Sequence, residues 1–401
     1  MTRPLEGIRI LDLTNVLAGP TATLIMGDLG ADIVKIEQMG SGDLSRGFGP
    51  YFREGESVYF MCMNRNKRSI TLNLKDPQGK EVFYDLAKKS DVILEAYRPG
   101  VTKRLSIDYE TIRGMNPGIV YCSLSGYGQE GPFKHKPAFD MIIQSVSGIM
   151  SVMGEPGGKP VLSAVPFADL SAGHLAIVGI LSSLMQRAQT GKGRYIDIAM
   201  FDVMQSMLTY MAQFYLTEGV VPGPVGSGHP TNIPVRAVRT KDGHYIEIYC
   251  PPQRFYEKLA VALSQNIPGL EDLPSDPRFA DPTKRFENKE ALYTIMDDAF
   301  LTKNFEEWVS ILDGADVPYG KVNSVEESFN SPQVAMRNMI VEIDHPHAGK
   351  FQTMGNPIKI SEMEEEFRPS PLLGQHNAEI LSEILGYPAE KIEKLTADGI
   401  V

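Results

Sequence analysis

Asp169 is a carboxylate in a place where charge is costly. It lies in Val165-Pro166-Phe167-Ala168-Asp169-Leu170-Ser171, between an apolar run and an apolar helix that the pattern places over Ala172 to about Arg187. A charge there must be hydrogen-bonded, paired or used, because burying it otherwise costs several kcal/mol. The plain reading is helix capping, for which Asp169 and Ser171 are both good residues. The alternative is a carboxylate kept reactive by apolar surroundings. Other chemical signals are thinner. His345-Pro346-His347 beside Asp344 has metal-ligand types, but the intervening proline and the loop context speak against a site, and no metal is expected. Cys62, Cys122 and Cys250 fall in no metal or redox spacing. There is no nucleophile elbow, Walker loop or kinase signature.

The chain that must position Asp169 has 401 residues, enough for two domains with their own cores. Apolar content of 42%, charged content of 22% and a net charge of −11 describe a globular protein without the basic surface that nucleic acid or an anionic membrane requires. Lysines and arginines do cluster between positions 65 and 104, where a local pocket for a phosphorylated ligand could form. Sparse cysteines suit a reducing compartment. No signal peptide is read at the N-terminus, and the apolar stretch Leu175 to Met185 is too short to span a bilayer. A cytoplasmic location is expected.

Strand and helix signals alternate from the start: a strand at Ile8–Leu13, a helix at Pro20–Leu29, strands at Ile33–Ile36 and Val92–Leu94, and a helix at Gln78–Lys88. This is the pattern of parallel βαβ units and a Rossmann-like α/β fold. The first βα loop reads Thr14-Asn15-Val16-Leu17-Ala18-Gly19-Pro20, without the G-x-G-x-x-G of a dinucleotide site, which disfavours an NAD-dependent dehydrogenase. A second long apolar helix is expected over Phe201–Leu216, its methionines filling core or interface. A Gly/Pro-rich linker, residues 218–230, precedes a hairpin of Val235–Arg239 and Tyr245–Tyr249 around Lys241-Asp242-Gly243. Further helices, a hairpin-like Val317–Val322 and a final helix at Ala378–Leu385 complete the pattern. The expected domains are 1–218, a small α+β domain over 219–330, and a return segment, 331–401, completing the first.

The chain resembles the CoA-transferases of family III, the CaiB/BaiF family, which includes formyl-CoA:oxalate and carnitine CoA-transferases and the 2-methylacyl-CoA racemases. The resemblance is carried by Pro4-Leu5-Glu6-Gly7-Ile8-Arg9-Ile10-Leu11-Asp12-Leu13, by Gly30-Ala31-Asp32-Ile33-Val34-Lys35-Ile36-Glu37 and by Asn66-Lys67-Arg68-Ser69-Ile70. It continues through Arg98-Pro99-Gly100, Ser125-Gly126-Tyr127-Gly128-Gln129-Glu130-Gly131-Pro132, Thr190-Gly191-Lys192-Gly193 and Pro371-Leu372-Leu373-Gly374-Gln375-His376. It implies a large Rossmann-like domain made of the N-terminal half and the C-terminal tail, a small inserted domain, and two ring-shaped chains interlocked as a homodimer.

The resemblance also implies roles. Asp169 would attack an acyl-CoA thioester and carry an aspartyl-CoA thioester intermediate, with no permanently bound cofactor and with coenzyme A or acyl-CoA as substrate. Asn15, Val16, Leu17, Ala18, Gln38, Leu72, Lys75, Tyr97, Arg98, Arg104 and Lys136 would line the CoA path, and Phe139, Asp140 and Met200 the substrate pocket. Gln38 stands where relatives often carry arginine and Ala96 where they carry asparagine, so Lys35, Lys67 or Lys103 would compensate at the phosphates. The racemase branch needs a histidine before the aspartate at Phe139-Asp140, and phenylalanine carries no proton, which disfavours that alternative. A non-catalytic acyl-CoA-binding protein would not need Asp169. The expected substrates are an acyl-CoA donor such as succinyl-CoA or acetyl-CoA and a short- or medium-chain acid. Arg46 and Arg236 are the cations that could meet a second carboxylate.

Overall fold

The computed structural model describes residues 3–401, which divide into two compact units. The first comprises the chain up to Ile149, Leu162–Ala212 and Pro332–Val401; the second comprises Met150–Val161 and Gln213–Ser331.

The first unit is built on a six-stranded parallel sheet. Its chain runs β1 (Arg9–Leu13), α1 (Ala18–Asp28), β2 (Asp32–Glu37), a short hairpin of β3 (Phe52–Arg53) and β4 (Glu56–Ser57), and α2 (Val58–Met63). There follow β5 (Lys67–Thr71), α3 (Pro77–Lys88), β6 (Val92–Glu95), α4 (Val101–Leu105), α5 (Tyr109–Met115) and β7 (Val120–Ser125). Then come α6 (Asp140–Val146), α7 (Phe167–Thr190), β8 (Tyr195–Ala199), α8 (Met200–Met207) and α9 (Thr209–Glu218), the last continuing into the second unit. The strand order β5-β2-β1-β6-β7-β8 reverses direction between β1 and β6. In open parallel sheets such a reversal opens a crevice outside the carboxyl ends of the strands. Strands β1, β6 and β7 are buried along nearly their whole length, as apolar runs covered on both faces should be. The C-terminal helices Asn377–Glu383 and Ala389–Ala397 return to this core, where Ile380, Leu381 and Leu395 pack with Val82, Phe83 and Leu86 of α3.

The second unit holds the expected hairpin, Val235–Arg239 against Tyr245–Tyr249, extended by a third antiparallel strand. That strand, Tyr319–Lys321, replaces the hairpin expected over Val317–Val322. Its core gathers Trp308, Phe300, Phe279 and Tyr256 from the surrounding helices.

Two helices differ from expectation. α7 starts at Phe167, so Asp169 lies inside its first turn rather than ahead of it. The apolar stretch 201–216 is two helices, broken where Thr209 adopts φ 48. With 24 residues α7 reaches bilayer-spanning length, longer than the stretch Leu175–Met185 suggested. Its buried stripe of Ala168, Ala172, Ala176 and Ile180, with contacts to α1 and β7, is the pattern of a core helix.

Candidate active site

A cavity of about 720 Å³ opens beyond the carboxyl ends of β1, β6, β7 and β8, at the reversal of strand order. Its walls are Asn15, Val16, Leu17 and Ala18 after β1, Ala96 after β6, Leu124 to Gly126 at the end of β7, and Met200 after β8. Phe139, Asp140, Met141 and Ile142 from the start of α6 and Asp169 from the start of α7 complete it, together with Tyr59 of α2. The walls approach closely. A Cβ on Gly126 would lie 2.0 Å from the Cβ of Ala138, and one on Gly173 would lie 2.5 Å from the carbonyl oxygen of Ala18.

The start of α7 is held from outside its own sequence. Pro166 precedes it and has no N–H, and the Asp140 carboxylate supplies the cap: its Oδ1 accepts from the N–H of Ala168 at 2.8 Å and of Asp169 at 3.2 Å. The other oxygen accepts from Nε2 of the buried Gln144 at 2.6 Å, and Gln144 Oε1 accepts from Ser163 N–H at 3.1 Å. This chain of bonds fixes the loop and the helix start on which Asp169 sits. Two acidic groups therefore meet at one helix N-terminus, whose dipole favours negative charge.

Burial pushes Asp169 up to about 7, and the nearby Asp140 charge adds to it. Tyr59 is pushed up to about 12 by burial and next by the Asp169 charge, so it stays a neutral hydroxyl facing that carboxylate. A half-buried carboxylate poised near neutrality, with apolar walls and no cation among the lining residues, can act as a nucleophile or a proton acceptor.

A second depression of about 430 Å³ lies beyond the ends of β2, β5 and β6, lined by Ile36 to Met39, Leu72 to Lys75, Tyr97 and Leu105. The residues expected along a CoA path thus divide between two places. Asn15 to Ala18 line the first cavity with Phe139, Asp140, Met200 and Asp169, whereas Gln38, Leu72, Lys75 and Tyr97 line the second. Arg98, Arg104 and Lys136 are exposed and line neither, and Lys136 lies over the Phe133 ring at 3.8 Å.

Four expected cations are corrected. Lys35 and Lys67 are fully buried, Lys35 paired with Asp43 at 2.8 Å and Lys67 with Asp12 at 3.2 Å, so neither can reach a phosphate. Burial alone would lower Lys35, but Asp12 and Asp43 raise it above the usual lysine range; in Lys67 burial wins, and it falls to about 8. Arg46 is held by Glu37 at 2.7 and 2.8 Å and Arg236 by Asp297 at 2.6 and 2.9 Å, so neither is free for a second substrate carboxylate. The Gly/Pro segment 223–228 belongs to the second unit, where Gly226 N–H donates to Gly154 at 2.8 Å. Among the described residues no cluster of His, Cys, Asp or Glu has metal-binding geometry.

The sequence profile of CoA-transferase family III matches residues 5–377. The chain belongs to CoA-transferase family III. The succinyl-CoA:glutarate CoA-transferase of Mus musculus is 38% identical over 400 residues, covering 100% of this chain and 90% of that protein. The acetyl-CoA:oxalate CoA-transferase of Acetobacter aceti is 37% identical over 383 residues, covering 95% of each. The crystal structure of a CaiB/BaiF family protein from Brucella suis superimposes with a TM-score of 0.84 at 33% identity, covering 96% of this chain and all of that one. This family III member is therefore an enzyme, a CoA-transferase acting on acyl-CoA and carboxylic acids.

Proposed function

We propose that this family III enzyme moves CoA from a short acyl-CoA, succinyl-CoA first, to a small dicarboxylic acid such as glutarate, with Asp169 as covalent nucleophile. The observation that carries the reading is the Asp169 carboxylate, raised to about 7, in an apolar-walled cavity at the carboxyl edge of the sheet. The substrate pair rests on the full-length similarity to a succinyl-CoA:glutarate CoA-transferase.

A carboxylate is a weak nucleophile in water, and partial desolvation with a raised pKa strengthens it. Asp169 Oδ attacks the thioester carbonyl; the C–S bond breaks, CoA leaves as thiolate, and a mixed anhydride remains. The thiolate attacks the aspartyl carbonyl, releasing the donor acid as carboxylate and leaving an aspartyl-CoA thioester. The acceptor carboxylate then displaces thiolate to form a second anhydride. Thiolate attack on the acceptor carbonyl gives the new acyl-CoA and restores Asp169. No proton is gained or lost overall, so the cycle needs no separate base. Phe139 lines the cavity beside Asp140, and its ring offers no second proton-transfer group for racemisation. α1 starts at Ala18, in the Asn15–Ala18 wall and without a side-chain cap, so the N–H groups of its first turn would meet the oxyanions.

Acids of two to six carbons should be assayed against succinyl-CoA, acetyl-CoA and formyl-CoA, with mass spectrometry for new thioesters. Glutaryl-CoA from succinyl-CoA is the expected product, and Asp169→Asn should lower its formation by about three orders of magnitude or more. Turnover confined to formyl-CoA and oxalate would refute the substrate assignment, and activity in Asp169→Asn above about a tenth of wild type would refute the nucleophile.

A further inference from the structure

Val16 has φ 67, a left-handed conformation that glycine or asparagine tolerates and that a β-branched residue adopts only under restraint. It lies in the cavity wall. The restraint comes from a buried group of charges on β2 and the segment after it. Asp43 Oδ1 accepts from the Val16 N–H at 3.1 Å, and its Oδ2 meets Lys35 Nζ at 2.8 Å. The same Lys35 Nζ donates to the Thr14 carbonyl at 2.9 Å, and Leu44 N–H donates to Asn15 Oδ1 at 3.3 Å. Three consecutive residues, 14 to 16, are thus gripped from one side. Ser45 orients the carboxylate by donating to Asp43 Oδ1 from N–H at 2.8 Å and from Oγ at 2.7 Å.

On its other side the loop is pinned to the helix of Asp169. Ala18 opens α1, and its carbonyl packs against Gly173, one turn beyond Asp169. Gly19 sits over Thr14, where a Cβ would lie 2.3 Å from the threonine side chain. Two charges taken wholly out of water are an expensive way to hold a fold, since apolar side chains of equal volume do as well or better. What the pair provides that apolar packing cannot is directed hydrogen bonding to the Thr14 carbonyl and the Val16 N–H, on either side of Asn15.

We propose that the buried Lys35–Asp43 ion pair is a positioning device, holding Val16 in its left-handed conformation and so fixing the Asn15–Ala18 wall opposite Asp169. Neither side chain lines the cavity; they act through the loop backbone. The inference rests on the reading that this wall faces the reacting thioester.

The test is a double-mutant cycle in the full chain. Asp43→Asn keeps the size and shape of the side chain but loses the ion pair, and it should lower kcat by about tenfold or more while changing KM little, because misplaced walls penalise the reacting geometry. Val16→Gly removes the strain that the pair opposes. In that background Asp43→Asn should cost less than about threefold, whereas a merely structural pair would cost the same in both. Amide hydrogen exchange gives a readout independent of turnover: Asp43→Asn should speed exchange at residues 14–19 while α7 keeps its protection. Equal kinetic losses in both backgrounds, or loop exchange unchanged from wild type, would overturn the proposal. If Asp43→Asn does not fold, Ser45→Ala removes one donor to the same carboxylate oxygen and should move kcat and loop exchange in the same direction by less. Asp169→Asn is assayed alongside; activity retained there overturns the reading of the site and leaves the exchange result to judge the loop.

Discussion

Asp169 is balanced between opposing influences. Burial and the Asp140 charge raise it to about 7, while the N-terminus of α7 favours its ionised form. Since the attacking species is the carboxylate, kcat/KM for the acyl-CoA should fall on the acid side of about pH 7 and level off above it. A profile flat from pH 5 to pH 8 would place the nucleophile elsewhere. Asp140→Asn keeps an oxygen to accept the Ala168 and Asp169 N–H groups but removes the charge, so the acid limb should move to lower pH with the helix start intact. An unmoved limb would mean that burial alone sets the group. Asp169 was visible in the sequence because a lone acid beside an apolar helix is costly. Tyr59 and Gln144 were not, because Val58-Tyr59-Phe60-Met61 and Ile142-Ile143-Gln144 read as ordinary core segments and gain meaning only from what faces them. Lys35 and Lys67 misled for the same reason. Nothing local shows that β1 and β2 pair Asp12 beside Lys35, which turns two apparent surface cations into buried ones.

At the scale of elements, α7 and α1 form the joint of the cavity. A glycine in a helix normally gains about 0.5–1 kcal/mol of stability on replacement by alanine. Gly173 should do the reverse, because its Cβ would press on the Ala18 carbonyl, a backbone atom that cannot step aside without moving the loop. Gly173→Ala is expected to destabilise the fold by about 1–3 kcal/mol in denaturant unfolding and to lower turnover with it. Gly114→Ala, with no atom near the new Cβ, serves as the control and should be neutral or better. Unchanged stability in Gly173→Ala would show that the two helices can separate freely. The βαβ elements were legible because strand and helix patterns alternate locally; α3 begins one residue before the expected Gln78, at Pro77, where Asp76 caps it. The start of α7 was misplaced because its cap is Asp140, distant in sequence, and cap rules consider only neighbours. The break between α8 and α9 falls at Leu208-Thr209, with neither glycine nor proline to announce it.

At the scale of the molecule, the single chain leaves apolar surface that water should not keep. Among the described residues of α9 none is buried, although Tyr210, Met211, Phe214, Tyr215 and Leu216 make it strongly apolar. A ten-residue helix of that kind is not stable by itself in water and needs a partner surface. In the first unit α7 exposes Val178 and Met185, with Met185 72% accessible, and α6 exposes Met141, Ile142 and Val146 beside the cavity. Patches of this sort mark association surfaces, and we propose that a second copy of the chain covers them, in the interlocked dimer that the resemblance to family III implies. The expected outcome is a homodimer in sedimentation at micromolar concentration whose thermal midpoint rises with protein concentration, as mass action requires when folding and association are linked. Met185→Glu together with Leu216→Glu would place charges on both exposed helices and should yield aggregated or unfolded chains rather than a folded monomer. A wild-type chain that sediments as a stable, folded monomer with a concentration-independent midpoint would exclude the interlocked arrangement, since folding would then not depend on a second copy.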